Sequence, residues 1–160
     1  MRQDFFIFEF MTPLFKKLNY KTQPEIIVLN APPSMDEELQ AMSKVCNVTN
    51  DLKQHQSVLF VMVFVTTLKE VEKWANAINK VLAEDGVLYF CYPKGTSKKY
   101  TCDFNRDTGW QILGDLGFEP VRQVAIDADW SALRFRKPQH IKKMTRSFAM
   151  TEEGKKKAGK

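Results

Sequence analysis

Apolar runs that lack polar alternation recur along this chain, and stretches with apolar residues three and four apart fall between them. "EIIVLN", Glu25 to Asn30, is such a run and predicts a strand covered on both faces. Ser34 then precedes Glu37 by three residues, a capping-box spacing, and Met35, Leu39 and Met42 follow at helical intervals. "KVCNV" predicts a short second strand, and "SVLFVMVFV" a third, the most buried. Thr67 and Glu70 form a second capping box. Leu68, Val71, Ala75, Ile78 and Leu82 then make one apolar helix face, with Gly86 as the stop. "VLYFCYP" reads as a fourth strand. The polar loop "KGTSKKYTCDFNRD" follows, and then a short helix through Trp110, Ile112, Leu113 and Leu116 that ends at Gly117. "EPVRQVAI" and "WSALRFR" face each other across "DAD" as a hairpin.

Alternating strands and helices imply an α/β domain. We expect a doubly wound, mostly parallel sheet of about six strands, with right-handed crossovers and a C-terminal antiparallel hairpin. The expected divisions are an N-terminal extension and lead-in over 1–24, the sheet domain over 25–137 and a basic tail over 138–160. We read Met11 as the start and the first ten residues as a loosely held extension. "MRQDFFIFEF" carries Asp4 and no small-residue cleavage site, which argues against a signal peptide.

Composition sharpens this picture in three places. The longest apolar run, Val58 to Val65, is less than half of the roughly 20 residues a membrane helix needs. Cys46, Cys91 and Cys102 are odd in number with no CxxC spacing, which fits free thiols in a cytoplasmic protein; with only His55 and His140 available, no zinc-ligand pattern can be built. The net charge of +5 sits at one end. From Lys137 onward, eight Lys or Arg stand against Glu152 and Glu153, a balance of +6, so the rest of the chain sums to −1.

A helix followed by a hairpin whose last strand inserts antiparallel resembles the second half of a Rossmann-like methyltransferase domain, over roughly Glu25 to Lys137. "YPKGTSK", "VAIDADWSALRFR" and the "VLNAP" end of the first strand also resemble, in that order-preserving set, the bacterial family called domain of unknown function 3052. That resemblance implies a truncated methyltransferase-like fold with no established activity.

The decisive segment lies after the first strand. Nucleotide and S-adenosylmethionine folds place glycine there so that backbone N–H groups can approach the ligand. Here the residues are Asn30, Ala31, Pro32 and Pro33, and the first glycine of the chain is Gly86. Two prolines remove two donors, and Asp36, Glu37 and Glu38 take up the positive end of the next helix. We therefore expect no resident cofactor, Pro32 and Pro33 filling the space of a methionine moiety, and no S-adenosylmethionine affinity tighter than about millimolar. Asp51 lies near the end of the second strand, where the methyltransferase resemblance implies an acidic ribose ligand, but the match is weak and an Asp in a turn is usually just a turn residue.

Other candidates read more plainly. "KGTSKK" has a single glycine, Gly95, and cannot be a P-loop, although Lys94, Lys98 and Lys99 could attract an anion. His55 and His140 lie in polar segments, Asp127 and Asp129 in a turn, and Trp130 reads as core. No catalytic constellation or metal site emerges. Ligands of open α/β sheets bind beyond the carboxyl ends of the parallel strands, which selects Asn30, Thr66, Lys94, Asp103, Arg106, Asp129, Trp130 and Ser131 as candidate binding residues.

The functional expectation is a non-catalytic or vestigial methyltransferase-like domain that binds a small polar ligand or a protein partner. The alternative is an S-adenosylmethionine-dependent methyltransferase relative with an altered cofactor loop. Weak nucleic-acid association through the tail is a third reading.

Overall fold

The computed structural model describes residues 7, 9–52, 57–104 and 108–141. His55, Arg106 and the tail from residue 142 lie outside the described residues. The elements are α1 (Pro13–Lys17), β1 (Glu25–Leu29), α2 (Asp36–Met42), β2 (Asn47–Thr49), β3 (Val58–Phe64), α3 (Leu68–Asn79), β4 (Leu82–Pro93), α4 (Gln111–Asp115), β5 (Glu119–Ala125) and β6 (Trp130–Arg136). They form one six-stranded sheet in the order β2-β1-β3-β4-β6-β5. β2, β1, β3 and β4 are parallel, and β6 runs antiparallel between β4 and β5. This is the expected Rossmann-like, methyltransferase-like sheet with its inserted hairpin.

Strands buried on both faces alternate their side chains between two apolar layers. One face carries Phe60, Met62, Tyr89, Cys91 and Trp130 against Met35 and Met42 of the α2 segment and Phe15 and Leu18 of the α1 segment. The opposite face carries Val61, Val63, Phe90, Leu133 and Phe135 against Val71, Ala75 and Ile78 of α3 and Leu113 of α4. Helix α1 is absent from the pattern reading above. Its local signal is Thr12 followed by Pro13: the Thr12 hydroxyl accepts the Phe15 N–H at 3.2 Å, and proline occupies the first turn. Phe15 and Leu18 are fully buried, so this lead-in is built into the core.

Several local expectations change. Ser34 caps nothing: a 3-10 turn over Pro33–Met35 precedes α2, Met35 N–H donates to the Pro32 carbonyl at 2.9 Å, and Met35 takes the N-cap position. Gly86 does not stop α3, which ends at Asn79. It lies inside β4, and Leu82 belongs to that strand and not to the helix face. The second strand is only Asn47–Thr49. At the other end Pro138 and Ile141 are buried, and the Lys137 ammonium donates to the Leu116 carbonyl at 2.8 Å, so the chain beyond β6 starts as part of the core.

Two predicted punctuation marks act as expected. Gly117 has φ 94, and the bonds Phe118 N–H to Leu113 C=O and Gly117 N–H to Gly114 C=O close α4 in a Schellman arrangement that needs a left-handed residue. The Thr67–Glu70 box is complete. Thr67 Oγ1 accepts the Glu70 N–H at 3.2 Å, and Glu70 Oε1 accepts the Thr67 N–H at 3.2 Å. Thr67→Ala should therefore lower stability by about 1 kcal/mol in urea unfolding, as N-cap truncations do. No change in midpoint would mean that the box contributes nothing to the folded state.

Among the described residues, no helix is long and apolar enough to cross a membrane, and no three His, Cys, Asp or Glu side chains are grouped to hold a metal ion.

Candidate functional site

The strand order reverses between β1 and β3, so the topological switch point lies beyond Leu29 and Phe64. A cleft of about 570 Å³ opens here beside Asn30, between the carboxyl ends of β1 and β2 and the start of α2. Its polar wall is Asn30, Asp36, Thr49 and Asn50, and its apolar floor includes Val28, Leu39 and Val48. The expectation that Pro32 and Pro33 fill this space is overturned. Pro32 is buried, Pro33 is exposed, and neither lines the cleft. The two prolines instead start the 3-10 turn, whose fixed φ they suit.

Asn30 explains how the chain leaves β1 without glycine. Its φ is 58, in the left-handed region that asparagine tolerates better than most residues. Asp51 does not line this cleft, and its N–H donates to Thr49 Oγ1 at 3.1 Å in a local turn.

A second and larger cleft, of about 870 Å³, lies beyond the end of β4, between the 94–104 loop and the β5–β6 hairpin. Lys94 and Ser131 line it together, from segments far apart in sequence. The pairing of Tyr92 with Ser131 and the bond from Lys94 N–H to the Asp129 carbonyl at 2.8 Å fix that proximity. Tyr92, Tyr100 and Phe104 supply aromatic walls, and Gln123 Nε2 donates to the Tyr92 hydroxyl at 3.2 Å. Gln123, Tyr92 and Phe104 are absent from the sequence-derived candidates. The signal available for Tyr92 is strand alternation, which puts it on the same sheet face as Phe90.

The other candidates have structural duties. Thr66 donates from its N–H and its hydroxyl to Glu70 Oε1, at 2.9 and 3.0 Å, and belongs to the α3 cap. Asp103 Oδ1 accepts the Leu68 N–H at 2.9 Å at the same helix start. Asp129 Oδ1 accepts the Ser97 hydroxyl at 2.8 Å and pins the long loop to the hairpin. Asp127 Oδ1 accepts the N–H groups of Asp129 and Trp130, at 2.8 and 2.9 Å, which is turn chemistry. Trp130 is core, as the sequence suggested. Its ring faces Phe64 edge-on at 5.1 Å and packs beneath Tyr100 at 4.8 Å, on the sheet face opposite Tyr92.

One thiol bears on the chemistry near the second cleft. Burial pushes the Cys102 thiol above its ordinary value; Asp103 and Glu70 add to this, while a hydrogen bond with the Phe104 backbone opposes it. A thiol held protonated in this way is a poor nucleophile at neutral pH. His140 sits 4.0 Å from Glu84, at the opposite end of β4 from both clefts.

Solved structures are similar to this one, and the first of the following shares its fold. An S-adenosylmethionine-dependent methyltransferase from Aquifex aeolicus matches with a TM-score of 0.54 at 11% identity, over 84% of this chain and 98% of that one. The N-methyltransferase NodS from Bradyrhizobium japonicum, in complex with S-adenosyl-L-homocysteine, matches at 0.43 and 17% identity, over 71% and 66%. The fibrillarin pre-rRNA processing protein of Methanococcus jannaschii matches at 0.43 and 20% identity, over 70% and 55%. The chain thus spans about two thirds and about half of the last two. At such identities the likeness concerns fold alone. No protein-family model matches the chain and no curated protein is similar to it in sequence, so the resemblance to domain of unknown function 3052 has no support from either.

Proposed function

We propose that this domain is a relative of the S-adenosylmethionine-dependent methyltransferases that takes the cofactor in the cleft beside Asn30, through a loop without glycine. One observation carries the reading: the crevice at the switch point is open, although the sequence around it predicts that it is filled.

The chemistry of the wall suits this ligand better than a nucleotide. S-adenosylmethionine has no phosphate, so it does not require the anion nest that Pro32 and Pro33 preclude. Its sulfonium and ammonium groups are positive, and Asp36 supplies a carboxylate where a phosphate would be repelled. Asn30, Thr49 and Asn50 offer amide and hydroxyl partners for the ribose and the amino acid part, and Val28, Leu39 and Val48 an apolar bed for the base. When bound, the cofactor supplies an electrophilic methyl group. This chain's residues hold and orient it.

The test is calorimetry on the full chain with S-adenosylmethionine and S-adenosyl-L-homocysteine. We expect a dissociation constant in the micromolar range, about −8 kcal/mol. Asp36→Lys should weaken it at least about tenfold, since it reverses a charge in the cleft wall, while the changed charge at the start of α2 should cost only about 0.3–1 kcal/mol of stability. Asp36 is exposed, so the variant should fold. Absence of binding at millimolar cofactor would return the domain to the non-catalytic reading, in which this cleft or the second one serves a small polar ligand.

A further inference from the structure

The second cleft has no role in the function just proposed, and its composition points to a ligand of its own. We propose that it binds a small aromatic carboxylate, with the ring against Tyr92, Tyr100 and Phe104 and the acid group toward Lys94 and Ser131. The inference concerns this cleft alone. It holds whether or not the cleft beside Asn30 takes a cofactor.

Size comes first. A volume of about 870 Å³ lies within the usual range for small-molecule sites. Shape and lining come next. Tyr92 and Phe104 stand 6.1 Å apart with their planes tilted at 41°, and Tyr100 belongs to the loop on the other side. Aromatic side chains grouped at one cleft favour a planar, polarisable guest through stacked and edge-to-face contacts.

Charge decides the sign of the guest. Among the described residues that line the cleft, Lys94 alone is charged, and no acidic residue lines it. The nearby carboxylates are already engaged: Asp129 with the Ser97 hydroxyl, Asp103 with the Leu68 N–H, Asp127 with two turn N–H groups. Lys98 and Lys99 of the same loop are exposed, which adds positive potential around the site. A cationic guest would be repelled by Lys94 at the wall and by Lys98 and Lys99 around it, and a neutral one would leave Lys94 unused.

Ser131 lines the cleft beside Lys94, and its hydroxyl can donate to or accept from a guest's polar atom. The Gln123–Tyr92 hydrogen bond fixes the neighbouring phenol and leaves the serine as the adaptable partner. A multiply charged phosphate fits less well, because the aromatic walls cannot solvate it and a single lysine cannot neutralise it.

Three probes on the unmodified full chain test this: 4-hydroxybenzoate, benzyl alcohol and benzylamine, by saturation-transfer NMR and calorimetry. We expect 4-hydroxybenzoate to bind in the submillimolar range and to lose affinity with added salt, and benzylamine to show no binding. Lys94→Gln should weaken 4-hydroxybenzoate about tenfold by removing a charge-assisted contact. Its melting temperature and its titration with S-adenosylmethionine should be unchanged, which separates this cleft from the one beside Asn30. The proposal fails if 4-hydroxybenzoate does not bind at 10 mM, if benzylamine binds as well as the acid, or if Lys94→Gln leaves its affinity unaltered. The probe series needs no variant, so misfolding of Lys94→Gln would not protect the idea.

Discussion

Phe60→Ala is expected to destabilise the domain by about 3–5 kcal/mol, a large part of the 5–15 kcal/mol typical of small proteins. Phe60 is fully buried on β3, with β1 and β4 on either side. Its ring meets Phe15 at 6.0 Å, Tyr20 at 6.1 Å and Tyr89 at 6.2 Å. Truncation removes the ring's own transfer free energy and leaves a void that a β-sheet backbone cannot close. It also removes the surface on which α1 and Tyr20 sit, so protease sensitivity should rise first near residue 20. Urea unfolding gives the magnitude. Leu59→Ala, at a neighbouring position that is 44% exposed, is the control and should stay within about 0.5 kcal/mol. A loss below about 1 kcal/mol for Phe60→Ala would contradict this account of the core.

Gly86→Ala should cost about 1–3 kcal/mol, although the residue lies near the end of the sheet remote from both clefts. A Cβ there would stand 2.6 Å from the Val58 carbonyl oxygen, 2.8 Å from Leu82 Cδ1 and 3.1 Å from the Ala83 carbonyl oxygen. The leucine can rotate away. The carbonyls can move only if the backbone does. The pairing explains the crowding: Val58 is opposite Leu82 but Phe60 is opposite Val87, so β4 bulges against β3, with Asp85 at φ 53. The bidentate bond from Arg136 to Asp85, at 2.9 and 2.6 Å, clasps this bulge to β6. Burial works to raise the Asp85 carboxyl, but its bond to Arg136 and that residue's charge outweigh burial and hold it below its ordinary value. Gly95→Ala has nothing within 4 Å of the new methyl group and should be neutral or slightly stabilising. Equal effects at the two glycines in thermal unfolding would show that the bulge relaxes freely.

Most of the sheet was legible along the chain, because its information is local. Unbroken apolar runs can satisfy only a strand covered twice, and the Thr67–Glu70 box and Gly117 mark helix ends through bonds to residues three to five away. The Ser34 spacing misled because two preceding prolines favour a 3-10 turn, which displaces the helix start past the serine. Gly86 misled for a related reason. A glycine after a helix usually ends it, whereas here the demand for glycine comes from Val58, a neighbour in space and distant in sequence.

The site divides in the same way. The sequence by itself determined the absence of glycine after β1, the acidic start of α2 and the location of surplus charge beyond Lys137, since each is a property of residue type and order. Only the tertiary structure decided that the crevice beside Asn30 is open, because whether two prolines block a space depends on which way the chain turns after a left-handed Asn30. Only the tertiary structure, likewise, separated Lys94 and Ser131 from Thr66, Asp103 and Trp130. All lie on one edge of the sheet, but the first pair lines a cleft, the carboxylate and the threonine are taken up by the α3 cap, and the indole faces the opposite layer. Edge membership follows from strand order, which sequence patterns reveal. Which atoms on that edge remain available to a ligand depends on hydrogen bonds between segments tens of residues apart, and on the sheet face to which strand alternation assigns each side chain.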